Sequence, residues 1–239
     1  MPDTAVVAAL AIVFASTFAR AAIGFGDALI AMPLLAMVFG VRTATPLVAL
    51  VSVAISVAML ARIWREVDLR AAWRLVLSTM VGIPIGLYLL KAAPEGVVKS
   101  ILGAVLVVYG VTNLVWTRFP TLKSEGSSWA FGLVAGVLGG AYNTNGPPVV
   151  IYGTLRQWPP ARFRATLQGY FLPTGIAVAV GHGLAGLWTK EVLTLYLYSA
   201  PAMLFAMLLG GALHRRVNAR RFNQAVSLFL VLMGILLFF

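Results

Sequence analysis

The chain has 239 residues, 61% hydrophobic and 10% charged, with a mean hydropathy of +0.94; soluble domains carry about 45–50% apolar and about 25% charged residues, so a single soluble core is excluded. The 18 basic residues outnumber the 7 acidic ones, a balance that points to nucleic acid in a soluble protein but, in so apolar a chain, to the Lys and Arg that gather in cytoplasmic loops. There is no cysteine, which excludes thiol relays, disulfide frameworks and Cys-based metal sites, and His182 and His214 lack the spacing of a metal motif.

In chain order, Asp3 is the only early charge before an apolar run. A secretory signal needs a basic start, so this run is expected to be a retained first helix. Apolar segments separated by charge or by Pro and Gly follow at 5–23, 28–39, 43–61, 73–90 and 97–116, then at 129–141, 147–155, 163–183, 192–213 and 222–239. A membrane span needs about 20 apolar residues. The second, sixth and seventh segments fall short of that and are expected to be parts of broken or re-entrant elements. The order of segment lengths repeats. Gly86 and Gly110 shifted by 124 land on Gly210 and Gly234, while Gly24 and Pro33 shifted by 115 land on Gly139 and Pro148.

Charge orients the segments. Placing the arginines of 62–74 and of 215–221 in the cytoplasm brings Arg118, Lys123, Arg156, Arg162 and Arg164 to the same side, if each short-segment pair enters and leaves on one face. That puts 13 of the 18 basic residues inside, and Arg42, Lys91, Lys99 and Lys190 outside, with Arg20 within the first segment pair. The positive-inside rule then places both termini outside and makes the two halves opposite in orientation. The fold class expected is all-α: a polytopic membrane protein of two inverted repeats, 1–120 and 125–239, whose broken helices meet near the midplane.

Two breaks carry the chemistry. The first is Gly24-Phe25-Gly26-Asp27, followed by Pro33; the second is Gly139-Gly140-Ala141-Tyr142-Asn143-Thr144-Asn145-Gly146-Pro147-Pro148. Broken backbone at membrane depth is tolerated only against protein or a water-filled cavity. A helix capped by Asn145 and opening with prolines would aim its positive end inward, a seat for an anion. Asn143, Thr144 and Asn145 are potential donors, and the competing reading is that these side chains only cap the broken helix. Asp27 has three roles open to it: capping the helix that starts at Ala28, pairing with Arg20 two turns earlier, or taking up a proton coupled to transport. A bare carboxylate at that helix start opposes an anion, so the anion site is expected at the second break. Gln168 either faces the cavity or makes a helix–helix hydrogen bond. The six tryptophans fall near segment ends, as an interfacial belt does, and His182 is expected in contact with solvent at the outer end of its helix. Arg215, Arg216, Arg220 and Arg221 are expected to set topology and meet anionic lipid.

The two breaks, with Pro33-Leu34-Leu35 after the first, Val149-Val150 after the second, and the later Arg164-Ala165-Thr166 and Gln168, resemble the sulfite exporter TauE/SafE family, also called the toluenesulfonate uptake permease family. The first break departs from that pattern at Asp27, where glycine is common in the family. The resemblance implies a secondary carrier of small sulfur-containing anions such as sulfite, sulfonates or sulfoacetate in the bacterial inner membrane. On that reading the substrate-binding residues are Gly24, Gly26, Tyr142, Asn143, Thr144, Asn145, Gly146, Pro147 and Gln168, with Asp27 and Arg20 as the coupling or ion pair. The expected partners are a small anion and membrane lipid, no nucleic acid, with a homo-oligomer left open; no cofactor and no metal are expected. A passive anion channel is the alternative. An intramembrane enzyme lacks a His-Glu-x-x-His pattern or a serine with a credible base, and an assembly protein has no need of two matched polar breaks.

Overall fold

A computed structural model describes residues 3–63, 69–115, 121–122, 124–213 and 219–238. Trp64, Arg65, Trp116, Arg118, Lys123, His214, Arg215 and Arg216 lie outside the described residues. The protein is an all-α polytopic membrane protein. Its helices are α1 (Asp3–Ile23), α2 (Asp27–Phe39), α3 (Val41–Ile63), α4 (Leu69–Ala92), α5 (Glu95–Val115), α6 (Ser127–Tyr142), α7 (Gly146–Leu155), α8 (Pro160–Leu184), α9 (Lys190–Leu213) and α10 (Ala219–Leu236). Among the described residues, five helices are long and apolar enough to cross a membrane: α1, α3, α4, α5 and α9. The short segments are short helices of 13, 16 and 10 residues for α2, α6 and α7. At 1.5 Å per residue they run to roughly 20, 24 and 15 Å, short of the roughly 30 Å of hydrocarbon. Helix α8 has the length, 25 residues, but carries Gln168, Thr174 and His182, all buried against other helices.

Glycine lets the helices touch backbone to backbone. On α4, Gly82 and Gly86 face Gly136, Val137 and Ala141 of α6, and a Cβ on Gly86 would run into the carbonyl of Val137. In lipid there is little hydrophobic drive between helices, so such small-residue stripes, with Gly132, Gly136 and Gly140 at four-residue spacing on α6, gain their association from close packing. The same device joins α9 to α1, where a Cβ on Gly210 would lie 2.7 Å from the carbonyl oxygen of Phe18. Helices α5 and α10 meet antiparallel. Gly103 faces the carbonyl of Gly234, and Gly110 faces that of Ser227.

These pairings map onto one another when α1–α5 are exchanged for α6–α10. The α4–α6 contact becomes α9–α1, and α5–α10 and α3–α8 become themselves. Gly86 and Gly210, and Gly110 and Gly234, separated by 124 in each case, therefore hold equivalent positions. The breaks correspond at another spacing than 115. Helix α1 ends at Ile23 and α6 at Tyr142, and α2 starts at Asp27 and α7 at Gly146, a separation of 119 in each case. Asn143, not Gly139, thus answers to Gly24. Both have positive φ, 106° at Gly24 and 52° at Asn143, because each helix ends on a left-handed residue that glycine or asparagine adopts at least cost.

The two ends of the bundle hold the basic groups that the charge pattern assigned to opposite faces. Arg74 and Arg156 meet Glu125 at one end. At the other, Arg42 Nη2 donates to the carbonyl of Lys91 (3.2 Å) and Lys91 Nζ to that of Ala185 (3.1 Å).

Candidate functional site

Both breaks line one central cavity of about 30 Å³, bounded by Arg20, Gly26, Asp27, Asn143, Asn145 and Phe171 among others. The first break supplies the charges. Arg20, in the last turn of α1, is fully buried; its Nη1 lies 2.8 Å from Oδ2 of Asp27, the first residue of α2. Its Nη2 donates to Ser56 Oγ (2.6 Å) and to Gln168 Oε1 (3.2 Å). The ring of Phe171 covers the guanidinium, 5.1 Å from its carbon, a cation–π contact in a desolvated setting. Nε of Arg20 is buried without a hydrogen-bond partner. An unmade donor costs about 1–3 kcal/mol, so the site has a standing demand for an acceptor there.

Asp27 also accepts from Ser52 Oγ, which in turn accepts from Asn143 Nδ2 at 3.1 Å. A continuous polar chain therefore runs from the ion pair to the second break. Ser52 and Ser56 lie one turn apart on α3, and Ser56 Oγ donates to the carbonyl of Ser52 (2.8 Å).

The break's polar side chains cap the end of α6, through Thr144 Oγ1 on the Tyr142 carbonyl, but not the starts of α2 and α7. The N-cap of α2 is Gly26, which has no side chain, and the Asp27 carboxylate is drawn instead to Arg20 and Ser52. Asn145 holds the N-cap position of α7 with prolines in the first turn as expected, but it makes no side-chain cap hydrogen bond. Its Nδ2 donates to Thr174 Oγ1 at 3.2 Å. Nor is the carboxylate bare. Arg20 pairs with it, and residues of both breaks line the cavity. Helices α2 and α7 both begin on this cavity, and their positive ends face it. Pro147 and Pro148 have no N–H, so α7 contributes its dipole with few amide donors, while α2 keeps those of Asp27 and Ala28.

The carbonyls at the end of α6 are all satisfied. Leu138 accepts from the amide of Thr144 (3.2 Å) and Gly139 from that of Asn143 (2.8 Å). Gly140 accepts from His182 Nε2 (2.9 Å), Ala141 from Thr45 Oγ1 (3.3 Å), and Tyr142 from Thr144 Oγ1 (2.9 Å). This complete accounting is what a helix end at membrane depth requires. It corrects the expectation for His182, which is fully buried because α8 uses it to close the last turn of α6.

Gln168 likewise serves as a strut between helices. Its Nε2 donates to the carbonyl of Gly24 and its Oε1 accepts from Arg20. Gln168, Gly24 and Tyr142 stand behind the cavity wall, whereas Gly26, Asn143, Thr144, Asn145, Gly146 and Pro147 are on it with Arg20 and Asp27. Sequence reasoning missed Ser52, Ser56, Phe171 and Gly175, which also line it. Two serines one turn apart in an apolar helix were a readable signal; a phenylalanine among many was not. Trp73, Trp129 and Trp188 are partly exposed toward the helix ends. Among the described residues no cluster of His, Cys, Asp and Glu suits a metal ion.

A family model described as Sulfite exporter TauE/SafE matches residues 8–237. No curated protein matches, and no solved structure does.

Proposed function

Because the chain belongs to the sulfite exporter TauE/SafE family, a family of membrane transporters, we propose that it is an ion-coupled secondary carrier of a small sulfur oxyanion, sulfite or a sulfonate, and not an enzyme. The observation that carries this reading is a buried Arg20–Asp27 pair inside a cavity that both helix breaks line. A lone guanidinium at membrane depth is costly, and its internal carboxylate offsets that cost while the site is empty. An arriving oxyanion takes over part of the role of Asp27, receiving the idle Nε–H of Arg20, the Asn143 amide and the first amides of α2. Protonation of Asp27 then removes the competing charge, which couples a proton to the anion. The cavity, about 30 Å³, has room for little beyond a water, so loading requires the breaks to part, as alternating access between two repeats supplies.

The two repeats, 1–120 and 125–239, are inverted in this reading, and the exchange of helix pairings described above supports it. The protein sits in the inner membrane with both termini outside. Since the chain has no cysteine, single-cysteine variants report cleanly: position 70 labels from the cytoplasm and position 190 from outside. Labelling of both from one side would remove the inverted-repeat reading.

Proteoliposomes test the mechanism. The wild-type protein is expected to show counterflow of labelled sulfite and accumulation driven by a proton gradient. Asp27→Asn keeps counterflow and loses proton-driven accumulation. Undiminished accumulation in folded Asp27→Asn would eliminate the coupling role, and flux without counterflow in the wild type would mean a passive channel.

A further inference from the structure

A second cavity, of about 130 Å³, lies at the end of the bundle where α6 and α8 begin. Four elements converge there. Arg74 comes from α4, Ser128 from α6, and Tyr152 from α7; Arg156 follows α7, and Arg162 belongs to the first turns of α8, with Glu125 just ahead of α6. The walls are tied together. The Leu122 amide donates to the carbonyl of Leu155 (2.8 Å), and Arg156 Nη1 to that of Leu122 (2.9 Å). Tyr152 and Trp158, which line it, and Phe163 stack edge to face, at 5.7 and 6.3 Å between ring centres.

Among the described residues, two guanidiniums meet one carboxylate here, and a third, that of Arg162, lines the same cavity. Glu125 pairs with Arg74, and its other oxygen lies 3.8 Å from Arg156. The hydrogen bond and charge of Arg74 hold its carboxyl below the usual carboxylate range, so it stays ionised. Its side chain is 62% exposed, so it can swing into water at little desolvation cost, leaving the arginines in place. The N-termini of α6 and α8 add positive potential from the same end. A carboxylate on a short tether, seated among arginines in a cavity larger than it fills, marks where a free oxyanion can sit.

We propose that this cavity is a second, peripheral binding site for a small tetrahedral oxyanion, sulfate or a sulfonate, which displaces the Glu125 carboxylate from Arg74 and Arg156. Glu125 is a tethered competitor that keeps the seat selective for anions able to match the arginine forks. That such a seat loads the central cavity from the cytoplasm rests on the transport reading; the binding itself does not.

The test titrates purified protein in nanodiscs of neutral phosphatidylcholine with sulfate and with methanesulfonate. Trp158 lines the cavity, so its fluorescence, taken as the difference between wild type and Trp158→Phe, reports occupancy locally. A saturable signal is expected. Glu125→Gln removes the competitor and tightens binding roughly two- to five-fold, the worth of an exposed ion pair. Arg156→Ala weakens it roughly three- to ten-fold, with Arg156→Lys in between because the charge remains but the fork is lost. Asn143→Ala in the central cavity leaves the Trp158 titration unchanged. No saturable signal, or one that Glu125→Gln and the Arg156 variants leave unmoved, would overturn the proposal. So would a signal that appears only with anionic lipid, since the arginines then hold a headgroup. Loss of transport with this titration intact would count against the carrier reading alone.

Discussion

The two helix breaks share a backbone and divide the chemistry between them. Each ends one helix on a left-handed residue and starts the next four residues after the last helical one, at 23 and 27 in the first and at 142 and 146 in the second. The first break carries both charges, Arg20 and Asp27. At the corresponding positions, 119 residues on, the second has Gly139 and Gly146. Its polar groups are neutral amides and a hydroxyl instead. A single ion pair serves a cavity that two breaks enclose, and a second pair on the other side would double the cost of buried charge. The near-symmetry of the fold therefore positions the site, and the asymmetry of the side chains gives it its charge.

If the charged break is the more demanding of the two, breaking its pair has the largest effect. Arg20→Met leaves Asp27 buried and unpaired, and stability is expected to fall by about 3–5 kcal/mol. Thermal unfolding in detergent checks this, and adding Asp27→Leu should restore most of the loss. A single variant as stable as wild type would mean that the pair does not hold the break. The neutral break is sharpened by affinity instead. Asn143→Ala is expected to weaken sulfite binding by roughly 10- to 150-fold, the worth of about 1.5–3 kcal/mol for one hydrogen bond to a charged group. Trp188→Ala, near a helix end, should leave it unchanged. Isothermal titration separates the two, and wild-type affinity in folded Asn143→Ala would confine the anion to the first break.

Much of this was legible in the sequence. The ten apolar segments correspond to the ten helices among the described residues, with ends moved by a few residues, because hydropathy and Pro or Gly punctuation are local signals that lipid enforces strictly. Arg20 and Asp27 were readable as candidates to pair at seven residues' separation, but not through two turns of unbroken helix: α1 ends at Ile23 and the pair closes across the break. The register of the repeat was not readable from the breaks. Gly24 and Gly139 look alike in sequence, but the left-handed position is taken by glycine in one half and by Asn143 in the other. The tertiary partners were also hidden. Nothing local says that Ser52 bridges Asp27 to Asn143, that Phe171 covers Arg20, or that His182 closes α6 and so leaves solvent. Those facts depend on which helices lie side by side, and glycine stripes on α4 and α6 decide that at long range.

Arg20, poised by Asp27, is expected to receive the anion between the breaks. This is tested most directly by sulfite titration of the double variant Arg20→Gln with Asp27→Asn, whose neutral side chains can keep the hydrogen-bonded shape of the pair without its charges. A folded protein is expected whose sulfite affinity falls by roughly 100-fold or more, the loss of a charge-assisted interaction worth about 3 kcal/mol. Wild-type affinity in that folded double variant would contradict it, placing the anion away from the guanidinium.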